Sequence, residues 1–166
     1  MIIRRILLDD AEQMRRLRLR LDEETQFMLF EPGEREISLE EQKRQIEDVL
    51  ARENQMIFVA EEDGQLVGYL SATGGYVRRN RHSAEIVIGI LQGFRGQGIG
   101  SQLFVAMEEW ARQQHLHRLE LTVMTHNTAG VALYKKQGFA IEGTRRHALI
   151  VNGQYVDEFY MAKILG

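Results

Sequence analysis

Apolar positions along the chain repeat with periods that mark most of its elements. Ile2 to Leu7 reads as a strand. Met14, Leu17 and Leu21 recur at helical spacing from about Ala11 to Leu21, with Asp9 or Asp10 available as an N-cap. Thr25 to Glu36 contains Phe27, Leu29 and Phe30 without a clear period, which suggests a partly buried loop or short helix. Ser38 followed by Glu41 forms a capping box, and Leu39, Ile46, Val49 and Leu50 give the second helix its apolar side. Met56 to Ala60 and Leu66 to Leu70 flank Asp63-Gly64, a hairpin signal because both residues tolerate positive φ.

A third run, Ala84 to Leu91, is continuously apolar from Ile86 and reads as a strand covered on both faces in the middle of a sheet. A glycine-rich turn then leads into a helix carrying Ile99, Leu103, Ala106, Met107 and Trp110 on one face. Leu119 to Val123 is strand-like, and Asn127 can cap a helix that reaches Gln137 and stops at Gly138. Two final strands, Phe139 to Val151 and Tyr155 to Lys163, meet at the hairpin dipeptide Asn152-Gly153. The expected order is β-α-α-β-β-β-α-β-α-β-β, an α/β mixed sheet with helices.

Composition narrows this reading without redirecting it. At 166 residues with a single proline, Pro32, one domain over residues 1–166 is the economical expectation. The absence of cysteine excludes disulfides, thiolate metal sites and cysteine nucleophiles, and points to the cytoplasm. No stretch approaches about 20 apolar residues, so neither a signal peptide nor a membrane span is expected. A net charge of −3 argues against a broad grip on nucleic acid. The basic run Arg15, Arg16, Arg18 and Arg20 reads as the solvated face of the first helix. His82, His115, His117, His126 and His147 show no metal-ligand spacing, and no metal is expected.

The segment Gly93-Phe94-Arg95-Gly96-Gln97-Gly98-Ile99-Gly100-Ser101 lies between a strand and an amphipathic helix. Glycines let the chain turn tightly and let a ligand approach the main chain. The first helical N–H groups lack intrahelical partners and carry the positive end of the dipole. That combination is an anion cradle, to which Arg95 adds charge. The dinucleotide fingerprint G-x-G-x-x-G fits poorly, because Gly96 and Gly98 as its first two glycines put Ser101 at the third position.

Arg95-Gly96-Gln97-Gly98-Ile99-Gly100 resembles the acetyl-CoA signature of the GNAT superfamily of N-acetyltransferases. Asn127, followed by Ala132-Leu133-Tyr134-Lys135-Lys136-Gln137-Gly138-Phe139, resembles that family's second motif. The ending Gly138 to Arg146, with Asn152-Gly153 and Asp157, is similar to the bacterial branch that includes amino-acid, polyamine and ribosomal-protein acetyltransferases.

The resemblance implies a GNAT-like fold in which two neighbouring parallel strands splay apart to hold the pantetheine arm of acetyl-CoA. Here these would be Ala84 to Leu91 and Leu119 to Val123. Main-chain groups of Ile88, Gly89 and Ile90 would satisfy the pantetheine amides, and one of their N–H groups would polarise the thioester carbonyl. Gly96, Gln97, Gly98, Ile99, Gly100 and Ser101 would hold the diphosphate with Arg95, and Asn127 would bond the pantetheine or cap its helix, two compatible roles.

Acetyl transfer needs a neutral amine, a route for its proton and a proton for the departing thiolate. Tyr134 is the candidate donor: with Ala129, Ala132 and Leu133 clustered on one helical face, it falls to the side. Glu85 is the candidate base at the entry of the splayed strand, with Glu120 or a water chain as alternatives. An amine with pKa near 8 costs about 1.4 kcal/mol to deprotonate at pH 7, and a lysine-like amine about 4.6 kcal/mol. The acceptor would be a small amine, an amino acid or a protein N-terminus. A noncatalytic acyl-CoA-binding module is the alternative from another class. Many relatives are dimers, and Phe27, Leu29 and Phe30 offer either an apolar contact for a homodimer or core.

Overall fold

A computed structural model describes residues 1–166. Its elements are β1 (Ile2–Arg5), α1 (Ala11–Glu24), α2 (Leu39–Leu50), β2 (Gln55–Glu62), β3 (Gln65–Gly74), β4 (Ser83–Ile90), α3 (Ile99–Gln113), β5 (Arg118–Met124), α4 (Thr128–Lys136), β6 (Ala140–Val151) and β7 (Gln154–Ile164). The order is the one the periodicities predict. All strands join one sheet in the order β1-β2-β3-β4-β5-β7-β6, antiparallel except for the parallel pair β4 and β5. No helix is long and apolar enough to cross a membrane.

Turn chemistry sets the two hairpins. Asp63 and Gly64 join β2 to β3 with φ of 50° and 79°, and Asn152 and Gly153 join β6 to β7 with φ of 50° and 76°. The capping box also forms: the Glu41 amide donates to Ser38 Oγ at 3.1 Å, and the Ser38 amide to Glu41 Oε2 at 3.4 Å. Asp10 behaves differently from the expectation. Its carboxylate accepts from the Leu7 amide at 2.7 Å and from Arg4, closing a short turn before α1 and leaving the α1 N-terminus without a side-chain cap.

Helices α1 and α2 cover one sheet face and α3 and α4 the other. On the α3 side Phe58 packs edge-on against Trp110, with Leu103, Phe104, Met107 and Leu119 fully buried around them. On the α1 side Tyr69 and Gly89 are paired neighbours, and a Cβ on Gly89 would meet Leu21 Cδ1 at 2.8 Å. That close approach brings α1 down onto β4.

Three expectations about burial need correction. Arg18 leaves the solvated stripe and is buried, its guanidinium 5.6 Å from the Tyr69 ring centroid and donating to Gln45 Oε1 at 2.7 Å. Leu50 is exposed rather than part of the apolar side of α2. Strand β4 is central, yet Glu85 and Val87 are exposed, because one of its faces opens onto a cleft instead of packing under a helix.

Replacing Ser38 with Ala should lower unfolding free energy by about 1 kcal/mol, since the Glu41 amide then loses its acceptor. Urea denaturation would read this as a lower midpoint with unchanged slope.

Candidate active site

β4 and β5 pair only at Ser83 with Arg118, Ala84 with Leu119 and Glu85 with Glu120. β4 continues to Ile90 and β5 to Met124, so the strands part beyond that point and leave facing main-chain edges without a ladder. The opening is part of a cleft of about 700 Å³.

The ladder between β3 and β4 identifies which groups of β4 face the gap. At its ends, the Leu91 amide donates to Val67 O at 2.9 Å and the Gly75 amide to Ser83 O at 3.1 Å. Antiparallel pairs alternate between bonded and non-bonded, which makes Gly89 with Tyr69 and Val87 with Ser71 bonded pairs. The N–H and C=O of Ile88 and Ile90 therefore point toward β5, while those of Gly89 are used by β3. Gly89 serves the site by lacking a side chain where Leu21 approaches. Ile90 O already accepts from Arg95 Nε at 3.1 Å.

At the wide end of the gap the glycines turn the chain into α3. Gly96 and Gly98 have φ of 74° and 81°, Gly98 is the N-cap of α3, and a Cβ at either would meet nothing within 4 Å. The first main-chain bond into α3 is Gln102 N–H to Gly98 O, and the amides of residues 96 to 101 donate to no protein acceptor. A run of unpaired amides at a helix N-terminus fits the diphosphate of a coenzyme A. Gly100 has another purpose: its Cβ would meet Leu133 Cδ2 at 2.9 Å, so the glycine lets α4 lie close to α3. Ser101 Oγ accepts from Gln137 Nε2 at 3.1 Å across the same contact.

Helix α4 carries Tyr134, and of the expected face only Leu133 packs inward. Ala129 and Ala132 are exposed, and Tyr134 is the buried residue of the helix, its ring 5.9 Å from Phe104 and 6.4 Å from Phe139. The short helix has too few apolar side chains to define a stripe, so the aromatic ring anchors it. The Tyr134 hydroxyl bonds to no protein group, and the residue lines the cleft. Burial pushes its pKa up to about 12, with nearby Tyr69 adding a smaller push. Asn127 caps α4 by accepting the Gly130 amide at 3.0 Å, which leaves its Nδ2 hydrogens free toward the cleft it lines.

Glu85 and Glu120 stand side by side where the strands part. Arg118 donates to Glu120 at 2.8 Å and also pairs with Glu142 at 2.6 Å, whereas Glu85 makes no ion pair. Of the residues singled out for cofactor binding, Gln97 alone does not line the cleft, its side chain turning back toward Gly93 O at 3.4 Å; Glu120, the alternative base, does not line it either. Phe27 and Leu29 line the cleft, whereas Phe30 lies under the Arg35 guanidinium at 4.3 Å. Arg145, Leu149 and Glu158 of the final hairpin also line it. In sequence, the segment Tyr155 to Tyr160 that contains Glu158 reads equally as a border of the acceptor pocket or as a half-buried strand, whereas nothing marks Arg145 or Leu149 as site residues.

The acetyltransferase (GNAT) family model matches residues 16–139. This chain belongs to the GNAT acetyltransferase family. It is 37% identical over 106 residues to the L-amino acid N-acetyltransferase AaaT of Escherichia coli K12, a match covering 61% of this chain and 64% of that protein. The GNAT-family acetyltransferase from Streptococcus pneumoniae superposes with a TM-score of 0.96 at 30% identity, over 99% of both chains. A GNAT superfamily phosphinothricin acetyltransferase from Sinorhizobium meliloti, solved in complex with acetyl-CoA, shares the fold with a TM-score of 0.84 at 19% identity, over 99% of this chain and 88% of that one.

Two measurements test this geometry. Gly98→Ala forces a side chain into a left-handed conformation, at a cost of about 1–2 kcal/mol or a shift of the loop, and should weaken coenzyme A binding about tenfold by calorimetry. Tyr134, raised from an ordinary 10 to about 12, contributes stability that is full below pH 10 and lost as pH rises through 12. Wild type minus Tyr134→Phe should show a phenolate absorbance step near pH 12 rather than 10.

Proposed function

We propose that this chain transfers the acetyl group of acetyl-CoA to a primary amine, which attacks directly while both substrates are bound. The carrying observation is the alignment of three features along one cleft. Unpaired amides of residues 96 to 101 lie at one end, unladdered Ile88 and Ile90 run along the wall, and the neutral Tyr134 hydroxyl faces the same space.

Gly96, Gln97, Gly98, Ile99, Gly100 and Ser101 hold the diphosphate through their N–H groups, and the free Nη atoms of Arg95 add charge. Ile88 and Ile90 offer main-chain groups to the pantetheine amides, with Asn127 Nδ2 donating from the opposite side. The N–H of Ile88 or Ile90 is the donor toward the carbonyl oxygen as it gains charge. Acetyl-CoA supplies an activated thioester carbon.

Glu85, the carboxylate without an ion pair at the apex, takes the proton of the attacking amine through water. Glu120 is held by Arg118 and is less free for that work. Tyr134 acts on the sulfur. A thiol ionises near 8.5, well below the phenol at about 12, so prior loss of the phenolic proton is not required. Tyr134 donates a hydrogen bond that strengthens as the C–S bond breaks, and the thiolate is finally protonated by solvent, directly or through this phenol, which takes up a solvent proton as it gives its own.

Purified protein incubated with acetyl-CoA and a panel of primary amines should release free coenzyme A only when an amine is present. Tyr134→Phe should reduce kcat about 10- to 100-fold, the worth of one hydrogen bond to a developing charge, with coenzyme A affinity nearly unchanged. Full activity in that variant would remove Tyr134 from the chemistry, and no thiol release with any amine would remove the proposal.

A further inference from the structure

Resting on that acetyl-transfer reading, we infer that the acceptor is a free α-amino acid, held as a zwitterion by Arg145 and Glu158. Paired residues in a sheet project to the same face. The registers therefore put Glu85 and Val87 of β4, Thr122 and Met124 of β5, Glu158 of β7 and Arg145 of β6 on one face. It is the face toward which Gly89 meets Leu21 of α1, opposite to Tyr134 and the phosphate cradle. The acceptor must reach the thioester from this side.

Glu158 is only 8% exposed, and no N–H or O–H group of the protein bonds it. Its one ionic neighbour is Arg145 Nη1 at 3.7 Å, beyond hydrogen-bond distance. The Arg145 side chain is 54% exposed and the Glu158 oxygens are not sealed from solvent, so the bonding capacity of both groups is open. Both line the cleft, where that capacity meets whatever enters it.

The backbone is built to keep Arg145 there. Arg145 pairs with Glu158 and Leu149 with Val156, so residues 146 to 148 of β6 stand opposite Asp157 alone. His147 occupies this bulge at φ 48°. Its N–H donates to Asp157 Oδ1 at 2.8 Å, and its ring stacks on Tyr155 with centroids 5.0 Å apart. Bulges re-aim side chains beside functional sites.

A cation and an anion 3.7 Å apart, each with free bonding capacity, complement a ligand carrying the opposite charges on neighbouring atoms. An α-amino acid does so: its carboxylate takes N–H bonds from Arg145, and its amine donates to Glu158. A simple alkylamine or diamine leaves Arg145 unanswered. A peptide N-terminus presents an amide in place of the carboxylate.

The test compares an L-amino acid with its α-amide and its decarboxylated amine as acceptors for wild type, Arg145→Gln, Arg145→Lys and Glu158→Gln. Coenzyme A binding by each variant serves as the check of folding. Wild type should favour the free acid in kcat/KM by about tenfold or more, the worth of a charge-assisted hydrogen bond. Arg145→Gln should raise KM for the acid by a similar factor, leave the amide unchanged and so erase the preference. Arg145→Lys should restore part of it, and Glu158→Gln should raise KM for all three acceptors.

Equal use of acid and amide, or an equal effect of Arg145→Gln on both, would overturn the assignment while leaving acetyl transfer intact. If no amine is acetylated, the acetyl-transfer reading fails by itself. Calorimetry of the amino acid into coenzyme A-saturated protein then decides the site: binding lost in Arg145→Gln supports it, and no binding to wild type ends it.

Discussion

Two parallel strands that begin as neighbours and then separate create this site. β4 and β5 are held together through Ala84 and Leu119, both fully buried, and part beyond Glu85 and Glu120. A sheet normally satisfies its own N–H and C=O groups; here those of Ile88 and Ile90 face a gap. The unmade ladder is tolerable because the gap is open to a ligand and to water. Each strand stays rigid through its other neighbour, β3 for β4 and β7 for β5.

The remaining features are arranged around that gap according to charge. Residues 96 to 101 concentrate positive potential at one end, where the polypeptide offers dipoles rather than side chains. Carboxylates lie on the opposite sheet face, Glu85 unpaired and Glu158 loosely opposed by Arg145. Tyr134 lies on the α3 side, kept neutral by its seat against Phe104 and Phe139.

Much of this was legible in the sequence, for identifiable reasons. Asp63-Gly64 and Asn152-Gly153 demand positive φ, so the hairpins followed from residue type. The glycines at 96 and 98 likewise marked the turn into α3, where both adopt positive φ. Tyr134 is buried, although its place on the helical wheel put it to the side of the apolar face. On a helix as short as α4 the few apolar residues cannot reveal which face meets α3. Arg18 failed similarly: its charge suggested solvent, but its long side chain runs inward over Tyr69 to Gln45.

Residue order alone determined what depends on local geometry: element order, turns, caps and the amide nest, each written within a few consecutive positions. Only the tertiary structure decided what depends on pairing between distant segments. Glu85 lies beside Glu120 because β4 and β5 are parallel. Ile88, rather than Gly89, faces the gap because of the β3 register. Arg145 meets Glu158 because a bulge in β6 sets their alignment. Register is a cooperative property of the whole sheet, and shifting it by one residue would exchange every side chain between its two faces.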